Sequence, residues 1–191
     1  MRFHPSYSSL NLALGLGAAL LGLTATSPGA FAAPAQLYGK SVTVSWTENR
    51  MQTTDRSATP VSKTASAQLS VYVSDKGRAF SRVSMTVDRG RRGSASGQRD
   101  AVQGEGSARS VNFSGNSMTV TAPRGDAGAL MVRVTFDSGF AGCSAHVISG
   151  KSGGAGFTRV HSMVTGGTYD MYSIQASGES CSIQSGNVFG N

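Results

Sequence analysis

SVTVSWTE, residues 41–48, alternates without a break. Val42, Val44 and Trp46 fall on one side of an extended chain, and Ser41, Thr43, Ser45 and Thr47 fall on the other. A period of two with β-branched and aromatic residues suits a half-buried strand, apolar on one face and hydroxylated on the other. The same pattern returns in QLSVYVS (68–74), RAFSRVSMTV (78–87) and ALMVRVTFD (129–137), with Leu69, Val71, Val73, Val83, Met85, Val87, Leu130, Val132, Val134 and Phe136 as the apolar sets. RSVNFS (109–114) and SMTVTA (117–122) flank Gly115-Asn116, a hairpin signal because both residue types tolerate positive φ. Asp75-Lys76-Gly77 marks a further turn. CSAHVIS (143–149), FTRVHSMV (157–164) and TYDMYSIQA (168–176) follow, the last two joined by TGGT, and SCSIQS (180–185) closes the series.

Glycine, serine, threonine and valine are abundant, common helix formers are scarce, and no helical periodicity of useful length occurs. About nine short strands joined by glycine-rich turns predict an all-β, antiparallel β-sandwich, with a closed, lipocalin-like β-barrel as the alternative. Uneven spacing favours the sandwich. It comes from DRGRRGSASGQRDAVQGEGSA (88–108), too long and polar for an ordinary hairpin connection and expected to be a basic loop. The polar stretch 51–66, interrupted by Pro60, is expected to be a second loop.

The N-terminus predicts export. Arg2 precedes the uncharged Leu10–Leu23, and Ala30 and Ala32 make the small-x-small pattern of a cleavage site, so 1–32 reads as a signal peptide. Fourteen residues interrupted by glycines are fewer than the roughly 18 a membrane-spanning helix needs. The remaining 33–191 has the length of a single domain. Its destination is the periplasm or the medium.

Cys143 and Cys181 are the two cysteines, and an even count in an oxidising compartment points to a disulfide. A thiol nucleophile would need a nearby base, but His146 lies three residues on and faces away from Cys143 in a strand. Two cysteines with His146 and His161 lack the short paired spacing of zinc sites. Asp137, Ser144 and His146 are close in sequence, yet Ser144 sits in no G-x-S-x-G elbow. Asp126, Asp137, Asp170 and Glu179 could supply glycosidase carboxylates, but nothing in the spacing sets their separation. GKSGGAG (150–156) lacks the Walker spacing and reads as a turn. No catalytic residue, metal or cofactor is implied.

LYGKSVTVSW, TFDSGFAGCSAHVISGK and SGESCSIQSGNVF resemble blocks of an uncharacterised family of small secreted proteins from rhizobium-like bacteria. The likeness covers most of 33–191 and is weakest in the middle loop. The cysteine blocks match at Cys143 and Cys181, which supports their pairing. The family has no known activity, so the resemblance implies no catalytic residues.

Charge is the more informative signal. Beyond residue 32, sixteen basic and ten acidic residues give +6. Between Asp75 and Arg99, seven basic residues against two aspartates give +5. Arg78, Arg82, Arg89, Arg91, Arg92 and Arg99, with Lys76, are the candidate binding residues, because guanidinium groups hold phosphates and carboxylates in bidentate pairs. The expected partners are anionic polysaccharide, lipopolysaccharide or an acidic protein surface. Nucleic acid would call for aromatic stacking, and 88–108 has no aromatic residue. The competing expectation is a structural or interaction protein of the envelope whose basic loop serves solubility.

Export itself is directly testable. Protein expressed from the full sequence and recovered from the periplasm or medium should begin at Ala33, as read by N-terminal sequencing or intact mass. Retention of residues 1–32 on the exported protein contradicts the cleavage assignment.

Overall fold

The computed structural model describes residues 32–54, 57–102, 109–123, 129–149, 158–161, 164 and 167–190. Residues 1–31 of the expected leader, 103–108 of the middle loop, Asp126 and the turn at 150–157 lie outside them. The described residues form ten strands: β1 (Lys40–Thr54), β2 (Ser57–Val73), β3 (Ala79–Asp88), β4 (Ser94–Val102), β5 (Ser110–Ser114), β6 (Ser117–Pro123), β7 (Ala129–Phe136), β8 (Cys143–Ser149), β9 (Thr158–His161) and β10 (Thr168–Ser185). They build two antiparallel sheets, one in the order β4-β3-β2-β1-β10-β9 and one in the order β5-β6-β7-β8. The fold is all-β, as the alternation predicts. One sheet is strongly curled into a half-barrel, so the sandwich carries a barrel-like element.

One apolar cluster draws on both sheets. Val42, Val44 and Trp46 of β1 and Leu69, Val71 and Val73 of β2 are buried on the inner face of the larger sheet. Phe113, Met118, Val120, Val132, Val134 and Phe136 are buried from the smaller one. Ala33 and Leu37 are buried with them, so the chain is docked from the first residue past the expected cleavage point. At the β5–β6 hairpin only Gly115 takes positive φ, at 56°. Asn116 instead spends its side chain, donating from Nδ2 to the Phe136 carbonyl at 3.0 Å.

Three expectations are corrected. Residues 88–108 are not one long loop: a tight turn at Gly90–Arg92 leads into β4, which pairs with β3 over nine residues, Asp88↔Ser94 to Phe80↔Val102. Residues 51–66 are not a loop either, since β1 runs to Thr54 and β2 begins at Ser57. Pro60 is tolerated because β2 pairs with β3 only from Ala65 and the β1–β2 register is irregular between Gln52 and Thr54. Finally, the strands are not all short, and TYDMYSIQA and SCSIQS belong to one 18-residue strand, β10.

That last strand hides a change of parity. Register runs from Thr47↔Ser177 to Ser45↔Ser180, so β10 spends one residue more than β1 across Trp46. The extra residue is a bulge at Gly178, whose φ of 65° suits glycine. Ala176 before it and Cys181 and Ile183 after it therefore all pack against the core. Without the bulge, Cys181 would face solvent.

Facing inward, Cys181 bonds Cys143 at the start of β8, with Cα atoms 5.6 Å apart. The expected disulfide is present, and it joins the two sheets to each other instead of tying one strand to its own sheet. Changing Cys143 or Cys181 to Ser should cost about 2–4 kcal/mol of stability, because the bond closes a loop spanning 38 residues. Denaturant unfolding of protein recovered from an oxidising compartment measures this. A midpoint unchanged from wild type contradicts it.

Candidate functional site

The arginines do not form one patch. Arg89, Arg91 and Arg92 are exposed at the β3–β4 turn, closed by Arg89 N donating to the Gly93 carbonyl at 2.8 Å. Their side chains engage no described residue. Lys76 and Arg78 sit at the opposite end of β3, in the β2–β3 turn, with the Arg78 guanidinium 5.8 Å from the Phe80 ring centre. Arg82 lies mid-strand. It donates from Nε and Nη2 to the two carboxylate oxygens of Asp100 at 2.7 and 2.8 Å, and stacks 5.0 Å over Phe189. The hydrogen bond with Asp100 raises the Arg82 pKa and lowers that of Asp100. Arg82 is thus a clamp between β3, β4 and the C-terminal segment. Arg99 stands opposite Val83, on the inner-face side of the edge strand. Among the candidates, the structure brings together the three at the tip.

Arg109, which the charge count passed over, is half-buried. Its Nη1 donates to Ser81 O at 3.0 Å, Ser81 Oγ at 3.2 Å and Arg99 O at 3.1 Å, and burial lowers its pKa.

The outer face of the larger sheet carries a second feature, visible only once the register is known. Ser96, Thr86, Ser66, Thr47 and Ser177 line up across five strands, β4-β3-β2-β1-β10. The next row reads Gln98, Ser84, Gln68, Ser45 and Ser180. All ten positions are uncharged and able both to donate and to accept hydrogen bonds. Neighbours within a row are about 4.8 Å apart and the rows about 7 Å apart, the spacings of a pleated sheet. Between the rows lies a depression of about 300 Å³ lined by Ser45, Thr47, Ser66, Gln68, Ser84 and Thr86. Thr86 and Ser96 hydrogen-bond each other at 2.8 Å and Gln68 donates to Ser70 at 3.1 Å. The hydroxyls of Ser45, Thr47, Ser66 and Ser84 make no bond to a described residue. The arginine tip begins three residues beyond Thr86, roughly 10 Å away and just past the end of β3.

On the inner face, β1 continues past Trp46 into polar residues that alternation alone would place in a loop. Glu48, Arg50 and Gln52 are buried, with Arg50 Nη1 3.1 Å from Glu48 Oε1 and 3.6 Å from Met85 Sδ. Trp46 Nε1, Arg50 Nε and Gln52 Oε1 are buried without a hydrogen-bond partner.

Elsewhere, Ser144 and His146 are exposed on the face of β8 opposite Cys143. The Asp137 carboxylate is occupied by the turn that follows it: Oδ1 accepts from the N–H of Gly139 and Ala141 at 3.1 and 2.9 Å, and Oδ2 from Gly142 at 2.7 Å. This holds Phe140 at φ 52°, where its ring packs 5.1 Å from Phe136 and the chain enters Cys143. His161 falls in β9 opposite Thr168. Among the described residues, no group of three His, Cys, Asp or Glu could hold a metal ion, and no helix is long and apolar enough to cross a membrane.

Comparison with protein-family models, with curated proteins and with solved structures finds no match for this chain.

The Asp137 turn gives a pH prediction. Hydrogen bonds from the backbone, Ala141 first, lower the pKa of this carboxyl in the folded protein. Its contribution is therefore full above its unfolded value of about 3.9 and is lost as pH falls through the depressed folded value. Asp137→Asn should lower the Tm at neutral pH, and the gap from wild type should narrow as pH drops below about 4. A gap that persists unchanged into acid contradicts this role for the ionised carboxylate.

Proposed function

We propose that this protein is an exported, non-enzymatic binding module that associates with an anionic envelope or matrix polymer through the arginine tip of the β3–β4 hairpin. The observation that carries the reading is the tip itself. Arg89, Arg91 and Arg92 lie within four residues on a tight turn, exposed, with no described partner to neutralise them. Guanidinium groups so placed can pair with phosphate or carboxylate and add steering over a Debye length. The disulfide and the N-terminal segment support export.

The alternative, assembly by strand addition, finds less support at β4. The inner-side Arg99 on this edge strand is a charge of the kind that discourages edge-to-edge pairing.

Replacing Arg89, Arg91 and Arg92 together by Ser should weaken co-sedimentation with an anionic polymer several-fold at low salt. The wild-type interaction should itself weaken steeply as salt rises from about 50 to 200 mM. Equal binding by wild type and triple variant at low salt removes the proposal.

A further inference from the structure

We infer that the polymer is an acidic polysaccharide, and that the hydroxyl and amide rows on the outer face of the larger sheet bind its sugar hydroxyls while the arginine tip holds its carboxylates. This rests on the reading of the tip as an anion site. Four observations argue for it. The ten row positions are uncharged, although a face that serves only solubility usually mixes charges of both signs. Each row side chain both donates and accepts, which matches a sugar hydroxyl and is wasted on a phosphate or carboxylate that only accepts. The rows border an open depression of about 300 Å³, and four of its lining hydroxyls are unengaged by described residues. Finally, the cationic tip follows the end of β3, so a chain leaving the depression along that strand reaches guanidinium groups after roughly 10 Å.

A protein whose anion site served only phosphate or acidic peptide would have no use for the rows. A neutral glucan would have no use for the tip. A polyuronate, with hydroxyls on every residue and a carboxylate on each, uses both.

The test compares polygalacturonate with inorganic polyphosphate, a polyanion without hydroxyls, using disulfide-bonded protein expressed from the full sequence. One variant carries Thr47→Val, Ser66→Val and Ser84→Val, which removes three hydroxyls, keeps net charge and favours the strand. The other carries the three Arg→Ser changes at the tip. Wild type should bind polygalacturonate roughly tenfold more tightly than polyphosphate at matched charge, the effect of a few neutral hydrogen bonds. The valine variant should lose that preference while keeping its polyphosphate affinity, and the tip variant should lose affinity for both. Ser66→Val alone should move the preference in the same direction if the triple variant does not fold. A valine variant that keeps the preference, or a wild type that has none, overturns the inference while a weakened tip variant leaves the anion site standing. A tip variant that binds both polymers like wild type overturns the reading of the arginines and this inference with it.

Discussion

Strand β1 is hydrogen-bonded on both sides along nearly all of its length, to β2 from Lys40 to Thr54 and to β10 from Lys40 to Gln52. That double pairing dictates which face each neighbouring residue takes. Because side chains alternate strictly, one register fixes the buried valines of β2, the orientation of Cys181 and the transverse hydroxyl rows at once. The departure at Gly178 is placed where the partner strand must switch parity to present a cysteine to the other sheet.

The same constraint explains what could be read from the amino acids. Strands whose inner face meets the apolar core, such as β1 up to Trp46, the second half of β2, β3 and β7, advertise themselves by alternation. Strand β4 does not. As an edge strand it needs no bulky inner residues, and its inner positions are Ala95, Gly97, Arg99 and Ala101, which leave no apolar signal. The β1–β2 hairpin end was equally silent, because Arg50 and Gln52 replace the apolar set there and Lys63 stands opposite Arg50. The arginine tip was legible as charge, but its separation from Arg78, Arg82 and Arg99 depends on the β3–β4 pairing. The hydroxyl rows were present in the sequence as outward serines and threonines, yet their alignment across five strands is a property of register and has no local signature.

The buried Glu48–Arg50 pair is the least expected feature of the core. Desolvating both ions is costly, and their attraction offsets that cost only with good geometry and further hydrogen bonds. Here Arg50 Nε, Gln52 Oε1 and Trp46 Nε1 lack partners, so this end of the larger sheet is less well satisfied than the valine-lined region beside it. Deleting one partner of the pair would leave an uncompensated charge inside the sheet, which is costlier than removing both.

The two sheets are fastened very differently along their two margins. At β8 and β10 the fastening is covalent, whereas at β3, β4 and β5 it includes hydrogen bonds from the Arg109 guanidinium to the Ser81 and Arg99 carbonyls. A covalent margin cannot yield and a hydrogen-bonded one can, so the sandwich is built like a book, with its spine at Cys143–Cys181. Thermal opening should start at the Arg109 margin, and amide protons of β4 and β5 should exchange with solvent well before those of β10 around the spine.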